Sequence, residues 1–392
     1  MLKFKILFVN SSLSGGGGAS KSTYYVFENL KKYFDVELCL LHKSKNRFVE
    51  GEKDIFYLRH ESSRTKNVYL RYYNFLFDAY HLNKLQKERQ YDMIITSQSQ
   101  ANFVGKVLKF FKRDIPLWSI HRSARPQHKS FIKRKLVDLS SKLDKYPDKI
   151  ITVSKSLEKD RRKYLPNQDI ITIYNPFDLK NIQKQKLEDL ESNFERKFFN
   201  ENKVLINVGR LARQKNQLLL LQVFKELKKE FPKLKLAILG EGPKRKQLEE
   251  YIEENNLQGE VYMPGIVNNV FKYLDRSDIF LFPSRYEGFG RVIVEAMACE
   301  LPIISSNYPY GASELINETL YEETNIKGYK KCKYGYLVER FNKKAYVEIT
   351  KKLLNNKTLQ KEITKKSKKR AKSFDKKVIG KEWKELIESE FE

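Results

Sequence analysis

Read for its apolar and polar positions, the chain alternates between two periods. Short runs with no polar face recur along it. In the first half these are "FKILFV" (Phe4–Val9), "VELCLL" (Val36–Leu41), "MIIT" (Met93–Thr96), "PLWSI" (Pro116–Ile120), "KIITV" (Lys149–Val153) and "IITIY" (Ile170–Tyr174). In the second half they are "VLINV" (Val204–Val208), "LKLAIL" (Leu234–Leu239), "EVYM" (Glu260–Met263), "IFLF" (Ile279–Phe282) and "PIIS" (Pro302–Ser305). Runs apolar on both sides are what parallel strands buried on both faces require. Between them lie stretches with apolar residues three and four apart. In Asn216–Phe231 these are Leu218, Leu221, Phe224 and Leu227, the stripe of an amphipathic helix. Strand–helix alternation predicts a parallel sheet covered on both faces. Because the alternation runs through twice, the fold class is α/β with two doubly wound, Rossmann-like domains.

The pattern breaks at "YNPFD" (Tyr174–Asp178), where proline ends regular structure and a charged segment, Leu179–Lys203, follows. This puts one domain at 1–178 and the other at 179–375. The tail, "FDKKVIGKEWKELIESEFE", predicts an amphipathic helix with Trp383, Leu386 and Ile387 on one side.

Composition narrows the class. A chain of 392 residues with 41% hydrophobic content builds proper cores and is not a disordered polymer. Cys39, Cys299 and Cys332 are scattered and odd in number, which excludes a disulfide framework or a zinc-spaced motif and points to reduced cytosol. The N-terminal apolar run is too short for a signal peptide, and no run approaches the ~20 apolar residues that span a bilayer. The expectation is a cytoplasmic protein, soluble or peripheral on the inner face of the plasma membrane. Net charge is +27. That favours anionic partners: nucleic acid, acidic lipid or phosphorylated substrates. The cations are spread along the whole chain, as a biased base composition also produces, so charge alone selects none of these.

In doubly wound sheets ligands bind beyond the carboxyl ends of the strands, and the candidate motifs follow strands. "NSSLSGGGGASKS" (Asn10–Ser22) leads from the first strand into a helix. Glycines there let the backbone approach an anion at the helix start, or form a plain loop. The segment is neither a phosphate-binding loop ending in Gly-Lys-Ser/Thr nor a clean G-x-G-x-x-G. "VGRLARQKN" (Val208–Asn216) puts Arg210 at a strand end and Lys215 five residues on, near the next helix. A planar fork, a mobile point charge and a helix terminus together suit a departing diphosphate. Either residue alone would read as a solvated cation. "LWSIHRSARP" (Leu117–Pro126) delivers His121 to a strand end, where a structural and a functional role weigh equally. "FPSRYEGFGRVIVEAMACELP" carries two carboxylates, Glu287 before a Gly-Phe-Gly turn and Glu295 in the helix after it. Glu287 suits sugar hydroxyls, Gly288 and Gly290 bring amides close to a ligand, and Glu295 suits vicinal hydroxyls such as those of a ribose. Helix-dipole complementation explains an acid near the helix start but not the turn between the two.

Taken together, "SIH", "ITVSKSL", "IYNPFD", "GRLARQKN", "ILGEGPKRKQLE", "FPSRYEGFGRVIVEAMA" and "YGYLV" resemble glycosyltransferase family 4, the retaining nucleotide-sugar enzymes of GT-B fold. "PYGASELI" and "CKYGYLVE" look most like bacterial members that extend lipid-linked oligosaccharides, O-antigens or capsules. The resemblance implies that 1–178 binds acceptor, that 179–375 binds donor across a cleft, and that the C-terminal helix 376–392 packs back on the first domain. It implies roles by position. Arg210 and Lys215 hold the donor diphosphate, with Gly17 and Gly18 passing close to it. Glu295 binds the ribose, and the backbone near Val267 meets the base. Glu287, Gly288, Phe289 and Gly290 hold the sugar, and His121 bonds it near the reacting centre. A UDP-sugar donor, a glycan acceptor on a polyprenyl-diphosphate carrier, no metal and no further cofactor are also implied. Where relatives carry glycine this chain has Glu300, at a turn that favours positive φ, and Ser20 stands where many carry glutamate.

The expected reaction moves the sugar to an acceptor hydroxyl with retained configuration, fixed cations stabilising the leaving group and domain closure excluding water. The basic stretch His121–Leu136, with Arg122, Arg125, Lys133 and Arg134, reads equally as a contact for acceptor phosphate or anionic membrane and as a solvated helix face. A nucleic-acid binder lacks a recognition motif. A nucleotide-sugar epimerase or Rossmann oxidoreductase remains the other enzymatic alternative, and the dinucleotide version fits the first loop poorly.

Overall fold

The computed structural model describes residues 4–13, 17–43, 52–58, 68–112, 114–123, 141–321 and 325–392, with the backbone alone for 68–73. The chain forms two compact units, one of Met1–Phe177 with Lys376–Glu392 and one of Asp178–Asp375. The break falls inside the "NPFD" turn.

In the first unit the strands are β1 (Lys5–Asn10), β2 (Asp35–Leu40), β3 (Ile55–Tyr57), β4 (Met93–Ser97), β5 (Leu117–His121), β6 (Lys149–Thr152) and β7 (Ile170–Thr172). They lie in the order β3-β2-β1-β4-β5-β6-β7, with every pair parallel. The order reverses at β1 and β4, the switch point at which such sheets open a crevice. Leu7, Val9, Ile94 and Leu117 meet Val104 and Leu108 of the helix Ser99–Phe111 in one core cluster. The C-terminal helix Lys376–Phe391 belongs to this unit. Lys376 N–H donates to the Phe177 carbonyl at 2.7 Å, and Phe391 stacks on Phe4 with centroids 4.1 Å apart.

The second unit repeats the plan with β8 (Lys203–Val208), β9 (Leu234–Leu239), β10 (Val261–Gly265), β11 (Ile279–Phe282), β12 (Ile303–Ser306), β13 (Tyr329–Lys331) and β14 (Tyr336–Val338). Their order is β10-β9-β8-β11-β12-β14-β13, parallel except for the antiparallel β13–β14 pair. Here the switch point lies between β8 and β11. The helix that follows β8 runs Gln217–Lys228, with Asn216 before it in the left-handed region at φ 55. Leu219, Leu221, Phe224 and Leu227 are buried, while Leu218 is half-buried. Glu300 adopts φ 60, and its carboxylate is held by Lys368 at 2.8 Å and Lys186 at 3.6 Å. Among the described residues no helix is long and apolar enough to cross a membrane.

The segment 179–203 adds two helices, Leu179–Gln185 and Asn193–Asn200. The second docks through Glu195, which closes a capping box with Ser192 and accepts from Tyr262 Oη at 2.6 Å and Tyr273 Oη at 2.7 Å. Burial pushes this carboxyl up. The bonds from the two tyrosines and from the Ser192 and Glu191 amides outweigh burial and bring it down to about 2. Because the folded value lies below the ordinary 4.5, the stabilisation is complete above that pH and is lost as pH falls through it toward 2. Glu195→Gln is expected to cost about 2 kcal/mol at pH 7. In urea melts of the full chain followed by circular dichroism, the gap from wild type should close between pH 5 and pH 2. A gap independent of pH would mean that the tyrosine bonds do not select the carboxylate.

Candidate functional site

In the second unit the loops that follow β8, β9 and β10 are laced together at the carboxyl edge of the sheet. Leu211 N–H donates to Glu241 O at 3.0 Å, Lys244 N–H to Leu211 O at 3.0 Å, and Gly240 N–H to Gly265 O at 2.8 Å. The loop after β11 is tied to the loop after β8 by three bonds. Arg285 N–H donates to Gln214 O at 2.8 Å, Gln214 Nε2 to Tyr286 O at 2.7 Å, and Arg285 Nη2 to Asn216 Oδ1 at 3.0 Å.

This lacing brings Lys215 and Glu287 together. Lys215 Nζ lies 2.7 Å from Glu287 Oε1, with side chains 17% and 12% exposed. Ser284 Oγ donates to the same carboxylate oxygen at 2.8 Å, and Nζ sits 4.8 Å above the centre of the Phe282 ring. The pair is thus partly withdrawn from water, where a charge interaction is stronger than at an open surface. Arg210 differs. Its carbonyl accepts from Gln217 Nε2 at 3.0 Å, but its side chain is exposed, and no carboxylate among the described residues pairs with it.

The Gly-Phe-Gly turn is packed into the unit. Gly290 has φ 97 and stands at the N-cap of the helix Arg291–Ala298. Phe289 is buried, packing edge-on against Phe374 at 5.8 Å, and its carbonyl accepts from Tyr308 Oη at 3.3 Å. Glu295 lies in the second turn of that helix and is only 7% exposed. Its nearest cation is Arg291, 4.0 Å away. Val267 is half-buried just past β10.

In the first unit, Gly17 is the N-cap of the helix Gly18–Leu30, and both glycines are exposed. His121 ends β5 with 6% of its surface exposed. Arg122 turns to the unit's own polar groups, donating to Ser97 Oγ at 3.1 Å, Asn175 Oδ1 at 2.6 Å and Thr23 Oγ1 at 3.3 Å. It cross-links β4, the first helix and the chain before the break. Arg125, Lys133 and Arg134 lie outside the described residues. Among the described residues no group of three or more His, Cys, Asp or Glu side chains could hold a metal ion.

Sequence reasoning missed Ser284, Tyr308 and the Asn216–Arg285 tie, which hold the site's backbone. It also missed a buried charge cluster next to His121, made by Lys106, Asp144 and Arg161. The available signal was Lys106 itself, a lysine among the apolar positions of "ANFVGKVLKF". A charge on an inward helix face demands a buried partner.

The profile described as "Glycosyl transferases group 1" matches residues 189–370, and "Glycosyltransferase Family 4" matches residues 16–181. An uncharacterized glycosyltransferase of Methanocaldococcus jannaschii is 30% identical over 93% of this chain and 96% of its own length. The N-acetylgalactosamine-N,N'-diacetylbacillosaminyl-diphospho-undecaprenol 4-alpha-N-acetylgalactosaminyltransferase of Campylobacter jejuni is 28% identical over 94% of this chain and 95% of its own. Among solved structures, Anabaena HepE in complex with UDP superposes with a TM-score of 0.75 at 19% identity, over 98% of this chain and 100% of that one. That likeness is one of fold.

Proposed function

The chain belongs to glycosyltransferase family 4 and has its two-domain GT-B fold, and from that membership we propose that it moves a sugar from a nucleoside-diphosphate donor to a glycan on a lipid-diphosphate carrier, with retention at the anomeric carbon. The donor in this reading is a UDP-linked hexose or N-acetylhexosamine. The observation that carries it is the Lys215–Glu287 pair at 2.7 Å, with Arg210 in the same loop as Lys215 and, among the described residues, paired with no acid. One loop then offers two cations to a diphosphate, while the other offers a carboxylate to sugar hydroxyls.

In this reading Arg210 and Lys215 take up charge on the diphosphate as the bond from its oxygen to the anomeric carbon breaks. The acceptor oxygen forms the new bond on the same face, and its proton passes to a leaving phosphate oxygen. The two cations serve where a metal ion would otherwise neutralise the leaving group. Glu287 and the amides of Gly288, Phe289 and Gly290 hold the sugar, Glu295 holds the ribose and the backbone at Val267 meets the base. From the first unit His121 bonds the sugar, and Gly17 and Gly18 approach the diphosphate. Support for the lipid-linked acceptor is the activity for which the Campylobacter relative is named. The reading places the enzyme in the cytoplasm, at the inner membrane surface where such carriers are loaded.

A thermal-shift panel of nucleoside diphosphates and nucleotide sugars tests the donor. At about 100-fold excess over Kd, a bound nucleotide adds about 2.7 kcal/mol, so UDP is expected to raise the midpoint where GDP and ADP do not. Transfer from the matching UDP-sugar should survive a chelator. No shift with any nucleoside diphosphate would remove the donor assignment.

A further inference from the structure

The first unit holds a set of buried charges that the transfer chemistry above leaves unused. Lys106 comes from the helix Ser99–Phe111, Asp144 from the short turn Leu143–Lys145, and Arg161 from the helix Lys155–Tyr164. The three side chains and that of His121 are between 5% and 11% exposed. Asp144 pairs with Lys106 through Oδ1 and takes Arg161 Nη1 on Oδ2 at 3.4 Å. His121 Nε2 lies 3.9 Å from Oδ1, too far for a hydrogen bond. Neither ring nitrogen of His121 has a hydrogen-bond partner among the described residues.

This is the reverse of a histidine–carboxylate dyad. In a dyad the carboxylate bonds a ring nitrogen and favours the charged imidazolium. Here both oxygens of Asp144 face cations. Burial lowers the Lys106 ammonium and Asp144 supports it; with Lys106 charged, two cations against one carboxylate leave the cluster positive. A third positive charge in so dry a place is disfavoured. Burial first, then Arg161 and Lys106, hold the imidazole well below its usual range. The other charged neighbour in the chain, Arg122, is turned away to Ser97, Asn175 and Thr23.

We propose that Lys106, Asp144 and Arg161 are positioning residues for His121, fixing its ring as an uncharged hydrogen-bonding group that meets the donor sugar. The inference rests on His121 contacting that sugar, as proposed above. Its chemical sense lies in the sign of the charge that develops. As the bond to the diphosphate breaks, the sugar ring gains positive character, and an imidazolium beside it would oppose that change. A neutral ring donates or accepts a hydrogen bond without the repulsion.

The test begins without substrate, on the full chain carrying 13C-labelled histidine, with the His121 resonance assigned by its loss in His121→Asn. In wild type that resonance is expected to stay unshifted from pH 8 to pH 5. In Lys106→Met the remaining charges of Asp144 and Arg161 balance while the burial stays, so the midpoint should rise and the resonance should begin to shift toward the acid end of that range. The kcat for sugar transfer in the same variant should acquire an acid limb, falling about tenfold per pH unit below the new midpoint. Arg161→Gln provides a second route to the same result should Lys106→Met fail to fold. A His121 resonance titrating near its ordinary value in wild type overturns the proposal, and so does a resonance that moves in neither folded variant. If the resonances behave as expected but His121→Ala transfers sugar at the wild-type rate, the contact between His121 and the sugar is what fails, not the charge cluster.

Discussion

Arg210→Ala is expected to lower kcat for sugar transfer by roughly 30- to 1000-fold, about 2–4 kcal/mol of transition-state stabilisation, as for a lost donor to a developing oxyanion. Lys215→Ala should cost a similar amount. The two variants separate chemistry from stability because their surroundings differ. Arg210 is exposed and has no acid partner among the described residues, so its removal should leave folding stability within about 0.5 kcal/mol of wild type. Lys215 is the partner of a carboxylate that is only 12% exposed. Truncating it strands Glu287 with one hydroxyl donor, Ser284, and should also lower the melting midpoint. Since both cations act on charge that grows as the bond breaks, the loss should fall on kcat rather than on KM. Wild-type turnover in both variants would refute the assignment. A pure rise in KM would instead assign the two cations to ground-state binding of the donor.

How much of this could be read from the chain depends on what each residue must satisfy. The central strands were legible because their side chains point to two sheet faces that are both covered, which makes the runs mostly apolar. Leu234–Leu239 and Ile279–Phe282 end where the apolar pattern does. The strands that escaped are short and lie toward the sheet margins: Ile55–Tyr57, Tyr329–Lys331 and Tyr336–Val338. An edge strand pairs on one side only, so Lys330 and Lys331 are tolerated in β13 and hide it. The helices within 179–203 escaped because only Ile182, Glu195, Phe198 and Phe199 are buried there, too few for a clear stripe. At the site, the sequence placed Arg210, Lys215, Glu287 and Glu295 after strands. It could not place β8 beside β11, and that adjacency is what brings Lys215 to a residue 72 positions away. The partners of His121 were hidden for the same reason, since Asp144 reaches Lys106 across 38 residues of chain.

The same non-local logic predicts an unusual rescue at the Gly-Phe-Gly turn. A Cβ at residue 290 would stand 2.2 Å from Tyr308 Oη and at φ 97, so Gly290→Ala meets a steric and a backbone penalty together. The backbone part costs about 1–2 kcal/mol in a left-handed conformation. The clash adds more because Tyr308 is fully buried and close-packed interiors yield little. Nor can the turn move away. The Phe289 carbonyl is held by Tyr308 Oη, and Gly311 leaves it room only by lacking a side chain, since a Cβ there would lie 2.1 Å from that oxygen. Gly290→Ala should therefore destabilise the chain by about 3 kcal/mol or more and weaken nucleotide-sugar binding, because the amides that would hold the sugar must shift. Tyr308→Phe alone loses one buried hydrogen bond, about 1 kcal/mol. The double variant removes the oxygen that clashes and leaves the ring carbon at an ordinary 3.4 Å. It should be more stable than Gly290→Ala alone, although it carries an additional destabilising change. Denaturation midpoints of the four proteins in this cycle decide the point. Additive losses would place the penalty of Gly290→Ala wholly in the backbone angle, and the Tyr308 hydroxyl would then have no part in setting the turn.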